Sequence, residues 1–127
     1  MGLIVQALVF LIGLLHVYFL SLEMFFWTKP RGLKAFGQTL EQARASKVLA
    51  ANQGLYNGFL AAGLVWGVFH PDVLFALQIK IFFLSCVFLA GIYGGLTAHR
   101  QILIYQAMPA ALALILIFCQ WQLSAAF

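Results

Sequence analysis

Glu23, His16 and the amides of ANQGLYNGFLAAGL (residues 51–64) are the groups in this chain whose types and spacing could do chemistry. Glu23 is the one acidic side chain within an apolar run, and a carboxyl in hydrocarbon has to be neutral, paired or hydrated. His16 precedes it by seven residues, which sets both on one helical stripe with Leu20 between them and Trp27 a turn further on. Their backbones would then lie about 10 Å apart along the axis. That is too far for a direct hydrogen bond, but a water, a ligand or an amide could bridge them. On an ideal helix Asn52, Gln53, Tyr56 and Asn57 fall within an arc of roughly 140°. Gly54, Gly58 and Ala62 form a small-xxx-small stripe on nearly the opposite side, a pattern that suits close helix packing in lipid. Amides turned toward lipid are costly, so the polar arc belongs against a bundle interior or a wet cavity. A carboxyl, an imidazole and several amides could bind a polar group, carry a proton or shift one within an apolar molecule.

The elements that must position these groups are membrane helices. The chain is 65% hydrophobic and 8% charged over 127 residues, against roughly 25% charged in soluble domains. A soluble fold of this size could not bury so much apolar surface, so lipid is part of its solvent. Four apolar runs, at about 3–27, 47–69, 73–96 and 102–123, each approach the ~20 residues that a crossing requires. The first has no basic n-region, is too long for a signal h-region and precedes no A-x-A-like site, so it reads as a retained helix. The expected fold is an all-α integral membrane protein with 1–127 as a single membrane domain. It is a four-transmembrane-helix bundle with a short cytoplasmic interfacial helix between the first two spans.

The loop TKPRGLKAFGQTLEQARASK (28–47) places Pro30 and Gly32 at the end of the first helix. Thr39 followed by Gln42 predicts a capping box and an interfacial helix leading into the second span. His70-Pro71-Asp72 predicts a tight turn, and the connection near 97–101 is nearly as short. Lys29, Arg31, Lys34, Arg44 and Lys47 crowd the first loop and Arg100 the third connection. By the positive-inside tendency both are cytoplasmic, with both termini and the Pro71 turn on the other side of the membrane. Nucleic acid is excluded as a partner, because seven basic residues among so many apolar ones form no basic stripe. Membrane lipid is the expected partner, with a small or amphiphilic ligand.

Depth groups the polar residues. Glu23, Asn52 and Gln53 lie near the cytoplasmic ends of their helices, with His16 and Asn57 nearer the midplane. Tyr93 in GIYGGLTAHR and Gln106 in YQAMPAALA belong to that same end. The expected site is a cytoplasm-facing polar pocket whose ligand-binding residues are His16, Glu23, Trp27, Asn52, Gln53, Tyr56, Asn57, Tyr93 and Gln106. Glu23 and His16 are the catalytic candidates. Each also has a plainer reading. Glu23 could pair with Lys29 or Arg31, His16 could donate to a backbone carbonyl, and the amides could be interhelical glue. Lys80 reads as snorkelling outward, Pro109 as kinking the fourth helix and freeing the Tyr105 carbonyl, Gly91 and Gly95 as packing. Cys86 and Cys119 read as small buried hydrophobes in separate spans. No metal site is expected, since one intramembrane histidine and one glutamate supply two ligands where three or four are usual. No cofactor is expected, haem included.

HVYFLSLEMFFW, NQGLYNGFLAAGL, AGIYGG and QAMPAALAL, in that order, resemble the small bacterial membrane proteins grouped as domain of unknown function 1304. The resemblance covers nearly the whole chain. It implies a short four-span inner-membrane protein and brings with it no reaction, ligand or catalytic residue. The family's characteristic polar positions match at His16, Glu23, Asn52, Gln53, Asn57 and Gln106. Three functions compete. The first is binding or transport of a small or amphiphilic molecule, for which four short helices would need to form a homodimer through Gly/Ala faces. The second is an intramembrane acid-base enzyme, isomerase-like, acting on a lipid-soluble substrate. The third is a structural or regulatory membrane subunit whose amides order the bundle.

Overall fold

The computed structural model describes residues 2–125, and every regular element among them is a helix. The chain divides into two compact units, Met1–Gly13 with Ala62–Phe127, and Leu14–Ala61. Two helices, α1 (Leu3–Met24) and α3 (Leu40–Phe69), contribute to both.

The first unit combines the start of α1 and the end of α3 with α4 (Val73–Thr97), a π-helical turn at Leu103–Ala107, and α5 (Met108–Ala125). Val5, Val9 and Ile12 are buried at the i, i+4, i+7 spacing of one helix face, while Leu3, Ile4 and Leu11 stay exposed, as lipid-facing positions do. α3 and α4 join through the tight turn expected at His70-Pro71-Asp72. The Asp72 carboxylate caps α4 by accepting from the Phe75 N–H at 2.9 Å, and the Asp72 N–H donates to His70 Nδ1 at 3.2 Å. α4 meets the π turn through its glycines. A Cβ at Gly91 would stand 2.6 Å from the backbone nitrogen of Ala107, and one at Gly95 would strike Leu103. The disturbance expected from Pro109 takes a specific form. Its missing N–H and its ring prevent an ordinary bond to Tyr105. The preceding turn widens instead, with the Met108 N–H donating to the Leu103 carbonyl five residues back.

The second unit holds the end of α1, the short α2 (Pro30–Phe36) and the start of α3. α1 stops at Met24, earlier than the 27 expected from hydropathy, and the Phe25 and Phe26 N–H groups close its last turn on Ser21 and Leu22. Pro30 does not end this helix; it opens the next one. A residue before proline is driven to extended backbone, so Lys29 (φ −96, ψ 161) becomes the N-cap of α2 and Pro30 its first residue. Gly32 lies buried inside α2, where a side chain would run into the Phe26 and Trp27 carbonyls. Gly37, at φ 60, terminates α2 in the left-handed conformation that favours glycine. The capping box forms as expected: the Thr39 N–H donates to Gln42 Oε1 at 2.9 Å and the Gln42 N–H to Thr39 Oγ1 at 3.2 Å. What it starts is α3 itself. With no proline before Phe69, α3 continues unbroken for 30 residues, so 40–46 are its first turns and the separate short helix is α2.

Among the described residues three helical segments, Leu3–Met24, Val73–Thr97 and Leu103–Leu123, are long and apolar enough to cross a membrane. The remaining apolar run, 47–69, lies wholly within α3, where Asn52, Gln53 and Asn57 set it apart from the other three.

Candidate functional site

In the second unit, close approach of α3 to α1 begins at Gly54. A Cβ there would lie 2.7 Å from Met24 Cγ, 3.0 Å from Glu23 Cβ and 3.2 Å from the Leu20 carbonyl oxygen. One turn later a Cβ at Gly58 would lie 2.7 Å from Leu20 Cδ1. Between these glycines Asn57 reaches across, and its Nδ2 donates to Glu23 Oε2 at 2.7 Å, the short end of the usual range. Both residues are buried, Glu23 at 9% and Asn57 at 6% exposure. No other described group donates to the carboxyl, which with two oxygens has about four acceptor positions to fill. Neither Lys29 nor Arg31 pairs with it among the described residues; the Arg31 guanidinium lies over the Phe26 ring, 5.6 Å from its centroid.

His16 is fully buried on α1, seven residues before Glu23, with its ring edge-on to Phe19 at 5.9 Å. His16, Glu23 and Asn57 are thus the buried polar groups of this unit. The polar arc expected on α3 divides. Asn57 lies only about 60° from Gly54 on a helix, so it turns toward α1 along with the small residues. Asn52, Gln53 and Tyr56 are exposed, Tyr56 at 58%. Trp27 falls beyond α1, in the turn that precedes α2. Its indole N–H donates to Ser46 Oγ at 3.2 Å and its ring rests 4.7 Å from that of Phe36, so it fastens the turn to the start of α3.

Tyr93 and Gln106 belong to the first unit. Tyr93 is 72% exposed on α4, and Gln106, inside the π turn, donates its Nε2 to the Val87 carbonyl at 3.3 Å. That bond joins the π turn to α4. The small-residue stripes are used within the chain, Gly54 and Gly58 by α1 and Gly91 and Gly95 by the π turn. Cys86 and Cys119 are free thiols, the first partly buried and the second exposed. Among the described residues no three His, Cys, Asp or Glu side chains cluster as metal ligands would.

One polar contact escaped the sequence reading. Lys80 does not snorkel outward; it is 1% exposed and its Nζ donates to Gln6 Oε1 at 3.0 Å. The residues are 74 positions apart, and each alone looks like an interfacial side chain. A glutamine inside the otherwise apolar opening of α1 was the one signal available.

Helices with exposed apolar surface, long and apolar enough to cross a membrane, together with an enclosed acid–amide pair, fit a helical, membrane-associated protein. Residues 10–118 match the family described as "Protein of unknown function (DUF1304)", and the chain belongs to that family. It is similar to "Uncharacterized protein YpaA" of Lactococcus lactis subsp. lactis (strain IL1403), with 33% identity over 107 residues that cover 83% of this chain and 88% of that protein. No solved structure matches the chain.

Proposed function

We propose that this chain is a four-span protein of the bacterial inner membrane, and that Glu23, Asn57 and His16 form a cytoplasm-facing polar site that binds or moves a small or amphiphilic molecule. The observation that carries the reading is the Glu23 carboxyl, enclosed yet holding a single hydrogen bond from Asn57. Interhelical hydrogen bonds in membranes contribute about 0.6 kcal/mol on average. Placing an acidic side chain within a membrane helix costs roughly 2.5–3.5 kcal/mol at the centre, and less toward an end. A single bond, even at the upper limit of about 1.7 kcal/mol, offsets only part of the central cost, and structural glue leaves the remaining acceptor positions of Glu23 unfilled. A ligand donor on the remaining acceptor positions closes the gap.

The fourth span is α3. Its 30 residues reach about 45 Å, longer than the ~30 Å hydrocarbon layer. The exposed side with Asn52, Gln53 and Tyr56 then needs a polar cover, which a bound molecule or a second copy supplies. Lys29, Arg31, Lys34, Arg44 and Lys47, with Arg100, hold their connections in the cytoplasm and put Glu23, one residue from the end of α1, near that face. Glu23 accepts a hydrogen bond or a proton from the molecule, and His16 lies deeper along the same stripe.

Native mass spectrometry with lipid and metabolite identification tests the reading, on protein purified in mild detergent beside the Glu23→Gln variant. A molecule retained by the wild type and absent from the variant is the expected result. No retained molecule in either, with equal melting temperatures, would assign the pair to bundle structure instead.

A further inference from the structure

Lys80 is the largest fully enclosed side chain among the described residues, two turns into α4. Gln6 Oε1 is its only polar partner among them, and an ammonium has three N–H donors, so two are uncommitted. The chain has three Asp and Glu residues in all, and none pairs with Lys80 among the described residues. Glu23 takes the Asn57 amide, Asp72 caps α4, and Glu41 lies in the first turn of α3.

The backbone makes room for this lysine. A Cβ at residue 67 would stand 2.8 Å from Lys80 Cγ and 3.3 Å from the Lys80 backbone nitrogen, so Gly67 lets the stem lie flat against α3. A snorkelling lysine holds its head at the interface; this one is enclosed and held by a side chain of α1. Gln6 is itself only half spent. Its carbonyl oxygen holds Lys80, and its NH2 has no acceptor among the described residues. Lys80 and Gln6 therefore offer N–H donors from neighbouring atoms of one small cluster, with a positive charge and no counter-ion. A cation enclosed among apolar helices is unfavourable unless an anion accompanies it or the amine gives up its proton, and one neutral amide does not compensate the charge.

We propose that Lys80 and Gln6 form a second polar site, which takes an oxyanion, a carboxylate or a phosphate. Lys80 Nζ holds one oxygen and Gln6 Nε2 donates to the other. The same two helices expose apolar side chains elsewhere on their surfaces, Leu3 and Ile4 on α1 and Leu74 and Phe75 on α4. The oxyanion can be the head group of an acidic amphiphile or a free ion from the water, and the two sources are separable.

The test titrates the full chain, in a neutral detergent, with oleate, with oleyl alcohol as its uncharged counterpart, and with acetate as the soluble carboxylate. Affinity is read by native mass spectrometry and by the shift in melting temperature. Oleate is expected to bind and oleyl alcohol to bind at least about tenfold more weakly, the loss of one charge-assisted hydrogen bond or more. Lys80→Met is expected to lower oleate affinity by the same factor, and Lys80→Arg to retain more of it than Lys80→Met. Competition by acetate at equal concentration supports the site and assigns it to soluble anions; oleate binding unaffected by acetate supports it and assigns it to lipid. Equal binding of oleate and oleyl alcohol overturns the proposal, as does wild-type oleate affinity in Lys80→Met. If Lys80→Met does not fold, Gln6→Leu decides, and unchanged oleate affinity there overturns the proposal equally. Glu23 is not among the residues of this site, so loss of oleate binding in Glu23→Gln would place the anion elsewhere and overturn the proposal.

Discussion

Replacing Asn57 by alanine takes away the one donor that holds Glu23, and the size of the effect separates a designed contact from an incidental one. Hydrogen bonds to charged groups contribute about 1.5–3 kcal/mol in water-soluble proteins. Inside membranes, coupling across helices averages about 0.6 and reaches about 1.7 kcal/mol, because the unfolded helices find other partners. The Asn57 bond is short, at 2.7 Å, its acceptor is a carboxyl, and both residues are at most 9% exposed. These features place it at the upper end, with a coupling of about 1.5 kcal/mol. The assay is a double-mutant cycle of Asn57→Ala and Glu23→Ala, unfolded reversibly from mixed micelles by a denaturing detergent and followed by tryptophan fluorescence. The double variant should be more stable than the sum of the single losses predicts, because removing both partners leaves no stranded polar group. Glu23→Gln, which keeps an amide oxygen for Asn57 to donate to, should stay within about 0.5 kcal/mol of wild type. A coupling below about 0.5 kcal/mol would refute the reasoning, since the carboxyl would then be held by something other than Asn57.

Gly54→Ala should destabilise the protein by about 1–3 kcal/mol despite alanine's better helix propensity, because its Cβ meets the Leu20 backbone oxygen at 3.2 Å. The same unfolding assay reads this, and any molecule retained at Glu23 should be lost with it. Thr39→Ala should cost about 1 kcal/mol and speed hydrogen exchange in the first turn of α3, leaving the rest of α3 protected. For topology, single cysteines at Lys34 and Asp72, in a background without Cys86 and Cys119, are labelled with a membrane-impermeant maleimide. Position 72 should react in intact cells and position 34 only after the membrane is opened; the reverse pattern would invert the proposed orientation.

Hydropathy located the long helices well, because a run of apolar residues near the bilayer thickness leaves few alternatives. Local backbone chemistry was legible where it stays local: the Thr39–Gln42 capping box and the tight turn at Asp72 were both readable. Pro30 was misread because proline is compatible with the first turn of a helix as well as with the end of one, and spacing alone does not distinguish them. The π turn before Pro109 was out of reach for a different reason. Sequence says that the Tyr105 carbonyl loses its partner, but how the turn relaxes depends on its packing against Gly91 and Gly95. That an amide of the second apolar run would reach the Glu23 stripe was foreseeable, and Asn57 is the one that does. The orientation of the arc was not, since Asn57 lies at its edge and helix packing at Gly54 drew it inward while Asn52 and Gln53 stayed out. The Lys80–Gln6 contact was invisible to spacing, because it joins different helices across most of the chain.

An experimental structure of the protein crystallised from a lipidic mesophase tests the proposed site most directly. The site predicts four membrane-crossing helices, α3 among them. It also predicts a non-protein molecule with a donor about 3 Å from the Glu23 carboxyl, on the cytoplasmic side of the bilayer. A Glu23 carboxyl satisfied on both oxygens by protein groups alone, with no molecule against it, would contradict a ligand site there.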